Sequence, residues 1–217
     1  MIIDAISDLH GYYPKLEGGD LLIVAGDLTA TDTLQEYRQF FLWLIDQNYR
    51  RKVLIAGNHD NNIESFYSFF SMELPPMGNI NYLCDSGTEF EGLKIWGTPW
   101  TAQFPGINPK CCAFTVNYGC DTDDWLNEYW QKIPSDTDIL ITHGPSFGNL
   151  DYTTRGESVG SRSLWMKLLE IRPKLHIFGH IHEAYGQIIH HNGIHLINCS
   201  HVNERYQPVN KPIRIEL

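Results

Sequence analysis

A chain of 217 residues with 42% hydrophobic, 19% charged and 12% aromatic residues can bury a core without staples, which excludes a disordered chain and a disulfide miniprotein. Sixteen Lys and Arg against 26 Asp and Glu give a formal net charge of -10, a long-range field that opposes bulk binding to nucleic acid or to an anionic membrane. Five cysteines, none in C-x-x-C spacing, argue against a disulfide framework or a thiolate zinc finger, and reduced thiols are expected; ten histidines are the unusual feature.

The first residues, Met1-Ile2-Ile3-Asp4-Ala5-Ile6-Ser7, have neither a basic n-region nor a long apolar h-region. The longest apolar runs, such as 21–25, are far short of a membrane span, so a soluble cytoplasmic protein is expected. In chain order, 2–7 and 20–25 read as short buried strands bounded by turn residues. Thr33 and Glu36 have capping-box spacing, and Leu34, Tyr37, Phe41, Leu44 and Ile45 recur at helical spacing, which predicts an amphipathic helix over 33–48. A strand at 52–56 and a shorter helix at 62–70 follow; 80–96 alternates as strands do. Next come a strand at 138–142, a helix at 164–171 closed by Pro173, and a strand at 174–178. An alternating hairpin over 184–198 turns at Asn192-Gly193, and 208–217 reads as an edge strand that leaves a homodimer open. No repeat or linker interrupts the chain, so 1–217 is read as one layered α/β domain.

Polar clusters follow the buried strands in order: Asp8-Leu9-His10-Gly11, Gly26-Asp27-Leu28, Gly57-Asn58-His59-Asp60, Thr142-His143-Gly144-Pro145 and Gly179-His180-Ile181-His182. Singly each is an ordinary polar turn. Five of them, each at the carboxyl end of a strand, where open α/β sheets place their functional groups, point to one site. Imidazole and carboxylate donors without cysteine suit borderline divalent ions. Asp8, His10 and His182 are assigned to one ion and Asn58, His143 and His180 to a second, with Asp27 bridging them. If 180–182 is extended, His180 and His182 point to the same side, one to each ion.

This ordered set resembles the calcineurin-like metallophosphoesterase superfamily over nearly the whole chain. The segments Thr142-His143-Gly144-Pro145, Trp96-Gly97-Thr98-Pro99-Trp100 and 176–183 look like the small metallophosphoesterase-domain proteins that include class III-type phosphodiesterases. The resemblance implies a four-layer α/β/β/α sandwich, two mixed sheets flanked by helices. It also implies hydrolysis of a small phosphorylated substrate, a phosphodiester such as a cyclic nucleotide, by in-line attack of a metal-bridging hydroxide. The two ions would be manganese, iron, zinc or nickel, with manganese favoured. In some animal relatives the position of His180 holds a non-ligand; histidine here implies a full site. His59 is assigned to the leaving group, with Asp60 orienting its ring. The alternatives are a phosphomonoesterase or protein phosphatase, a small nuclease, or a non-catalytic scaffold of the same fold.

Other features have weaker claims. The segment 100–121, with Phe104, Pro105, Pro109, Cys111, Cys112, Phe114 and Tyr118, either overhangs the site or covers a sheet. Arg155 or Arg162 in 148–162 has the chemistry to pair with a phosphate oxygen. Asn198, Ser200 and His201 are candidates for support behind the ligands, whereas His176, His190, His191 and His195 match no ligand motif.

Overall fold

The computed structural model describes residues 1–73, 77–103, 110–117, 119, 122–190 and 193–217. Strands β1 (Ile2–Ile6) and β2 (Gly19–Ala25) lead to helix α1 (Leu34–Asp46), β3 (Tyr49–Ile55), α2 (Ile63–Glu73) and β4 (Ile80–Tyr82). Then follow β5 (Ser86–Phe90), β6 (Leu93–Thr98), the short β7 (Thr101–Ala102) and β8 (Thr115–Val116), and α3 (Thr122–Trp130). The chain continues through β9 (Ile139–Thr142), α4 (Arg162–Ile171), β10 (Leu175–Phe178), a 3-10 turn (His182–Ala184), β11 (Gly186–Ile189), β12 (His195–Asn198) and β13 (Ile213–Glu216).

Two mixed sheets result, ordered β13-β1-β2-β3-β4 and β11-β12-β10-β9-β6-β5. Side chains that alternate along each strand explain the layers. Ile3, Ile23 and Val53 of the first sheet pack face to face with Ile139, Ile177 and Ile197 of the second. Leu22, Val24 and Leu54 face the other way, onto Tyr37, Phe40, Phe41 and Leu44 of α1. On the far side Leu140, Phe178 and Leu196 receive Leu126 and Trp130 of α3 and Leu164 and Leu168 of α4. The order is therefore α/β/β/α, as expected.

Helix α1 starts where predicted: the Thr33 side chain accepts from the Glu36 N–H and Glu36 reaches back to the Thr33 N–H. Helix α4 starts two residues earlier than predicted, because Ser161 caps it by accepting from Leu164 N. Other details differ from expectation. Strand β4 pairs parallel with β3, while β5 and β6 form a hairpin in the other sheet, so the 80–96 stretch divides between sheets. Helix α3 and the β7–β8 pair are additions to the expected elements. Strand β13 is an edge strand as predicted, antiparallel to β1; Asn192 of the predicted turn lies outside the described residues, as does His191. The described cysteines, Cys84, Cys111, Cys112 and Cys199, are free. Among the described residues, no helix is long and apolar enough to cross a membrane.

The sheets converge at one end. Ser7 donates its N–H to Cys199 O (2.9 Å) and accepts at its carbonyl from His201 N (2.8 Å), a parallel bridge beyond β1 and β12. Strands β1, β2 and β3 run parallel to one another, as do β9 and β10, so their carboxyl ends deliver five loops to one place.

Candidate metal centre

The loops leave their strands abruptly. Asp8 (φ 52), His10 (φ 43), Asp27 (φ 51) and His180 (φ 69) are all left-handed, a conformation that costs a non-glycine residue about 1–2 kcal/mol. Hydrogen bonds between the loops hold them there: Asp8 N to Gly26 O (3.0 Å) and His10 N to Asp27 O (3.1 Å). The Asp8 carboxylate accepts from His180 N at 3.1 and 3.0 Å, and Asp27 Oδ1 accepts from His59 N at 2.9 Å. Both approaches need glycine: a Cβ on Gly179 would lie 2.1 Å from Asp8 Oδ2, and one on Gly57 2.2 Å from Asp27 Oδ1.

On one side, the donor atoms of Asp8, His10, Asp27 and His182 lie within 4.8 Å of one another. His182 Nε2 is 3.4 Å from Asp8 Oδ1 and 3.4 Å from His10 Nε2, and His10 Nε2 is 3.6 Å from Asp27 Oδ2. On the other side His143 Nε2 is 3.0 Å from Asn58 Oδ1 and 3.4 Å from Asp27 Oδ1, with the His180 ring 4.8 Å from the His143 ring. Asp27 thus faces both groups, one oxygen toward each. The expected extended run at 180–182 is not formed: His180 is left-handed and His182 opens the 3-10 turn, so the two imidazoles diverge by backbone turning.

The donor chemistry fits cations. His143 Nδ1 donates to Ala25 O (3.0 Å), and His182 Nδ1 donates to Asn203 O (3.2 Å). Each therefore aims the lone pair of its Nε2 at carboxylate, amide or imidazole acceptors, an arrangement that requires a proton or a metal ion between them. Without metal, the facing carboxylates favour a proton on each ring. Burial lowers the affinity of His143 for a proton, but Asp27 and Asp8 outweigh it and push the group up to about 9. His182 is raised in the same way against its burial, by Asp8. Burial also works to raise the Asp8 and Asp27 carboxyls, yet the facing histidines hold both well below the usual range.

His59 borders the bridge, its Nε2 3.9 Å from Asp27 Oδ2. The structure corrects the role expected for Asp60. Its carboxylate accepts from the N–H groups of Leu28 (3.1 Å), Thr29 (3.2 Å) and Gly57 (2.9 Å) and from the Thr29 hydroxyl (3.2 Å), not from the His59 ring. The ring is oriented by Ala30 O, 3.3 Å from Nδ1. Asp60 acts one step back, tying down the loop that carries Ala30. Glu36 secures the other end of that loop, accepting from Ala30 N (3.0 Å), Thr31 N (3.1 Å) and Thr33 N (3.1 Å).

A cleft of about 320 Å³ opens over Asp27, Asn58, His59, His180 and His182. Arg155 lines it, whereas Arg162 stacks on Phe147, 3.7 Å from the ring centroid. Thr154 N donates to Glu183 Oε1 (2.7 Å), which ties the Arg155 turn to the residue after His182. Asn198 holds the segment between His180 and His182, donating to Ile181 O (2.9 Å), and the Ser200 hydroxyl donates to Asn198 Oδ1 (2.8 Å). His201 serves structure through Asn210 O, and His195 pairs with Gln187. Cys111 reaches the site, its Sγ 3.4 Å from His59 Nδ1, while Phe104, Pro105, Pro109 and Tyr118 lie outside the described residues. Sequence reasoning missed Tyr206, which packs edge-on against His10 and His182; a lone tyrosine in a polar loop carries no signal of that contact.

The family model described as calcineurin-like phosphoesterase matches residues 1–184. The chain is 35% identical to human metallophosphoesterase domain-containing protein 1 over 98% of this chain and 69% of that protein. Among solved structures, phosphopantetheinyl hydrolase from Mycobacterium tuberculosis superposes with a TM-score of 0.61 at 15% identity, covering 98% of this chain and 95% of that one. A Thermus thermophilus protein, TT1561, gives 0.58 at 15%, covering 91% and 88%. At that identity the two structures share the fold.

Proposed function

The chain belongs to the calcineurin-like phosphoesterase family, and from that membership we propose that it is a two-metal hydrolase of small phosphodiesters, cyclic nucleotides among them. The observation that carries the reading is the shared carboxylate: Asp27 faces Asp8, His10 and His182 with one oxygen side and Asn58 and His143 with the other. Two divalent ions bound there would neutralise phosphoryl oxygens and activate water for in-line attack. The nitrogen and oxygen donors admit manganese, iron, zinc or nickel, and manganese is the ion we favour.

The side chains supply the rest. With Nδ1–H directed to Ala30 O, the atom of His59 left to pass a proton to the leaving oxygen is Nε2, which lies on the Asp27 side of the cleft. Arg155, at a turn held by Glu183, is placed to take a phosphoryl oxygen. Glu157, Glu183 and Glu204 line the same cleft and, with the net charge of -10, oppose a long polyanion. We accordingly assign a small substrate, no membrane partner and no bulk binding of nucleic acid, to a single cytoplasmic domain of residues 1–217.

The test strips the protein of metal, reloads it with Mn²⁺, and assays bis-p-nitrophenyl phosphate, p-nitrophenyl phosphate and the 2′,3′- and 3′,5′-cyclic nucleotides. Preference for the diesters is expected. Preference for the monoester would make it a phosphomonoesterase, and no turnover with two ions bound would make it a scaffold.

A further inference from the structure

Three imidazoles whose second ring nitrogen can be followed are held differently. His143 and His182 each give Nδ1–H to a backbone carbonyl, of Ala25 and Asn203. His10 does not: among the described residues its buried Nδ1 has no hydrogen-bond partner. A ligand imidazole normally has such a partner to fix its ring. What surrounds His10 instead is aromatic. The Tyr206 ring sits 4.9 Å from it at 71°, with the rings of His59 and His182 at 4.5 and 5.2 Å. These are edge-to-face distances, at which ring packing fixes orientation.

Tyr206 is carried on a loop built to hold it. Asn203 Oδ1 accepts from Arg205 N and Gln207 N, both at 3.0 Å, and Asn203 N donates to Gln207 O at 2.9 Å. The Asn203 carbonyl takes both Tyr206 N (2.8 Å) and His182 Nδ1 (3.2 Å). Tyr206 itself is left-handed, φ 57, which a tyrosine adopts only when its surroundings compel it. Its ring is 5.1 Å from that of His182 at 89°. One loop therefore orients both histidines on the Asp8 side of the bridge, while His143 on the other side is held by Ala25, from β2.

We infer that Tyr206 is a positioning residue for His10 and His182, and that the 203–207 loop sets the affinity of one ion position, the one made by Asp8, His10 and His182, independently of the other. The inference rests on the two-metal reading. The test is stepwise calorimetric titration of Mn²⁺ into metal-free wild type, Tyr206→Ala and Tyr206→Phe. Tyr206→Ala should weaken one of the two binding steps by about tenfold or more and leave the other within about twofold, the size of effect expected for a residue behind a ligand. Tyr206→Phe keeps the ring and should retain two wild-type steps. Two unchanged steps in Tyr206→Ala, or equal weakening of both, would overturn the inference. Failure of the wild type to bind two ions would instead refute the two-metal reading itself. Tyr206 is 39% exposed, so its truncation is not expected to prevent folding, and thermal unfolding of the metal-free variants checks this.

Discussion

At the scale of single residues, the candidate donors were legible as a set because the chemistry admits few substitutes and the motifs are short. A cation site draws on carboxylate and imidazole, and Asp8-x-His10 or His180-x-His182 sets such candidate donors within three positions. Orientation was not legible. Asp60 follows His59 in the chain, yet its oxygens turn back to Leu28, Thr29 and Gly57, and the atom that aims His59 is Ala30 O, 29 residues away in sequence. Two predictions belong here. Replacing His59 by Gln should leave both ions bound and lower kcat by about 10²-fold or more for diesters with poor alcohol leaving groups, but much less for p-nitrophenolate, which leaves without a proton. An equal loss for both would remove His59 from the proton transfer. Gly179→Ala should displace the Asp8 carboxylate, whose Oδ2 would lie 2.1 Å from the new Cβ, and metal analysis of the purified variant should then show fewer than two ions per chain.

At the scale of elements, period and caps predicted well where one face is buried. Helix α1 shows its apolar spacing, its Thr33 cap and its Glu36 partner within the sequence itself. Helix α3 shows little: Trp125 is exposed, Leu126 and Trp130 are its buried residues, and the cue that fixes its position is Asp123, which accepts from Ser161 Oγ (2.6 Å) and Ser163 N (2.9 Å) of the α4 start. Strand β4 is three residues long, and its place beside β3 is set by tertiary pairing. The 180–182 segment departs from the expected extended run because a left-handed histidine breaks the period-two rule. Glu36 joins element to site, since it completes the α1 cap and holds the Ala30 loop. Glu36→Ala is expected to cost about 1 kcal/mol in urea unfolding and to lower kcat severalfold without altering metal content. Unchanged kcat would separate the loop from His59.

At the scale of the whole molecule, the sandwich buries ionisable groups, and stability acquires a pH dependence. His176 is fully buried on β10, where Thr142 gives its hydroxyl to Gly144 O (2.6 Å) and so receives the His176 Nε2–H (2.8 Å). Burial lowers this histidine to about 3. Unfolded, it takes up a proton below about pH 6.5. Between about pH 6.5 and 3 the unfolded chain therefore binds the extra proton, and stability falls on acidification by up to about 1.4 kcal/mol per pH unit from this group. His176→Gln should be less stable than wild type at about pH 7 by about 1 kcal/mol, with the gap closing near about pH 5.5 when metal-free proteins are unfolded in urea. A constant gap would mean that folded His176 takes up its proton at the same pH as in the unfolded chain. The proposed joining of two ion positions by Asp27 into one hydrolytic centre is most directly tested by titrating Mn²⁺ into metal-free protein while counting bound ions and following bis-p-nitrophenyl phosphate. Two ions per chain at saturation, and hydrolysis that appears only with the ions and is lost with both positions in Asp27→Ala, are the predicted result. Hydrolysis by the stripped protein, or two ions bound with no ester cleaved, would contradict it.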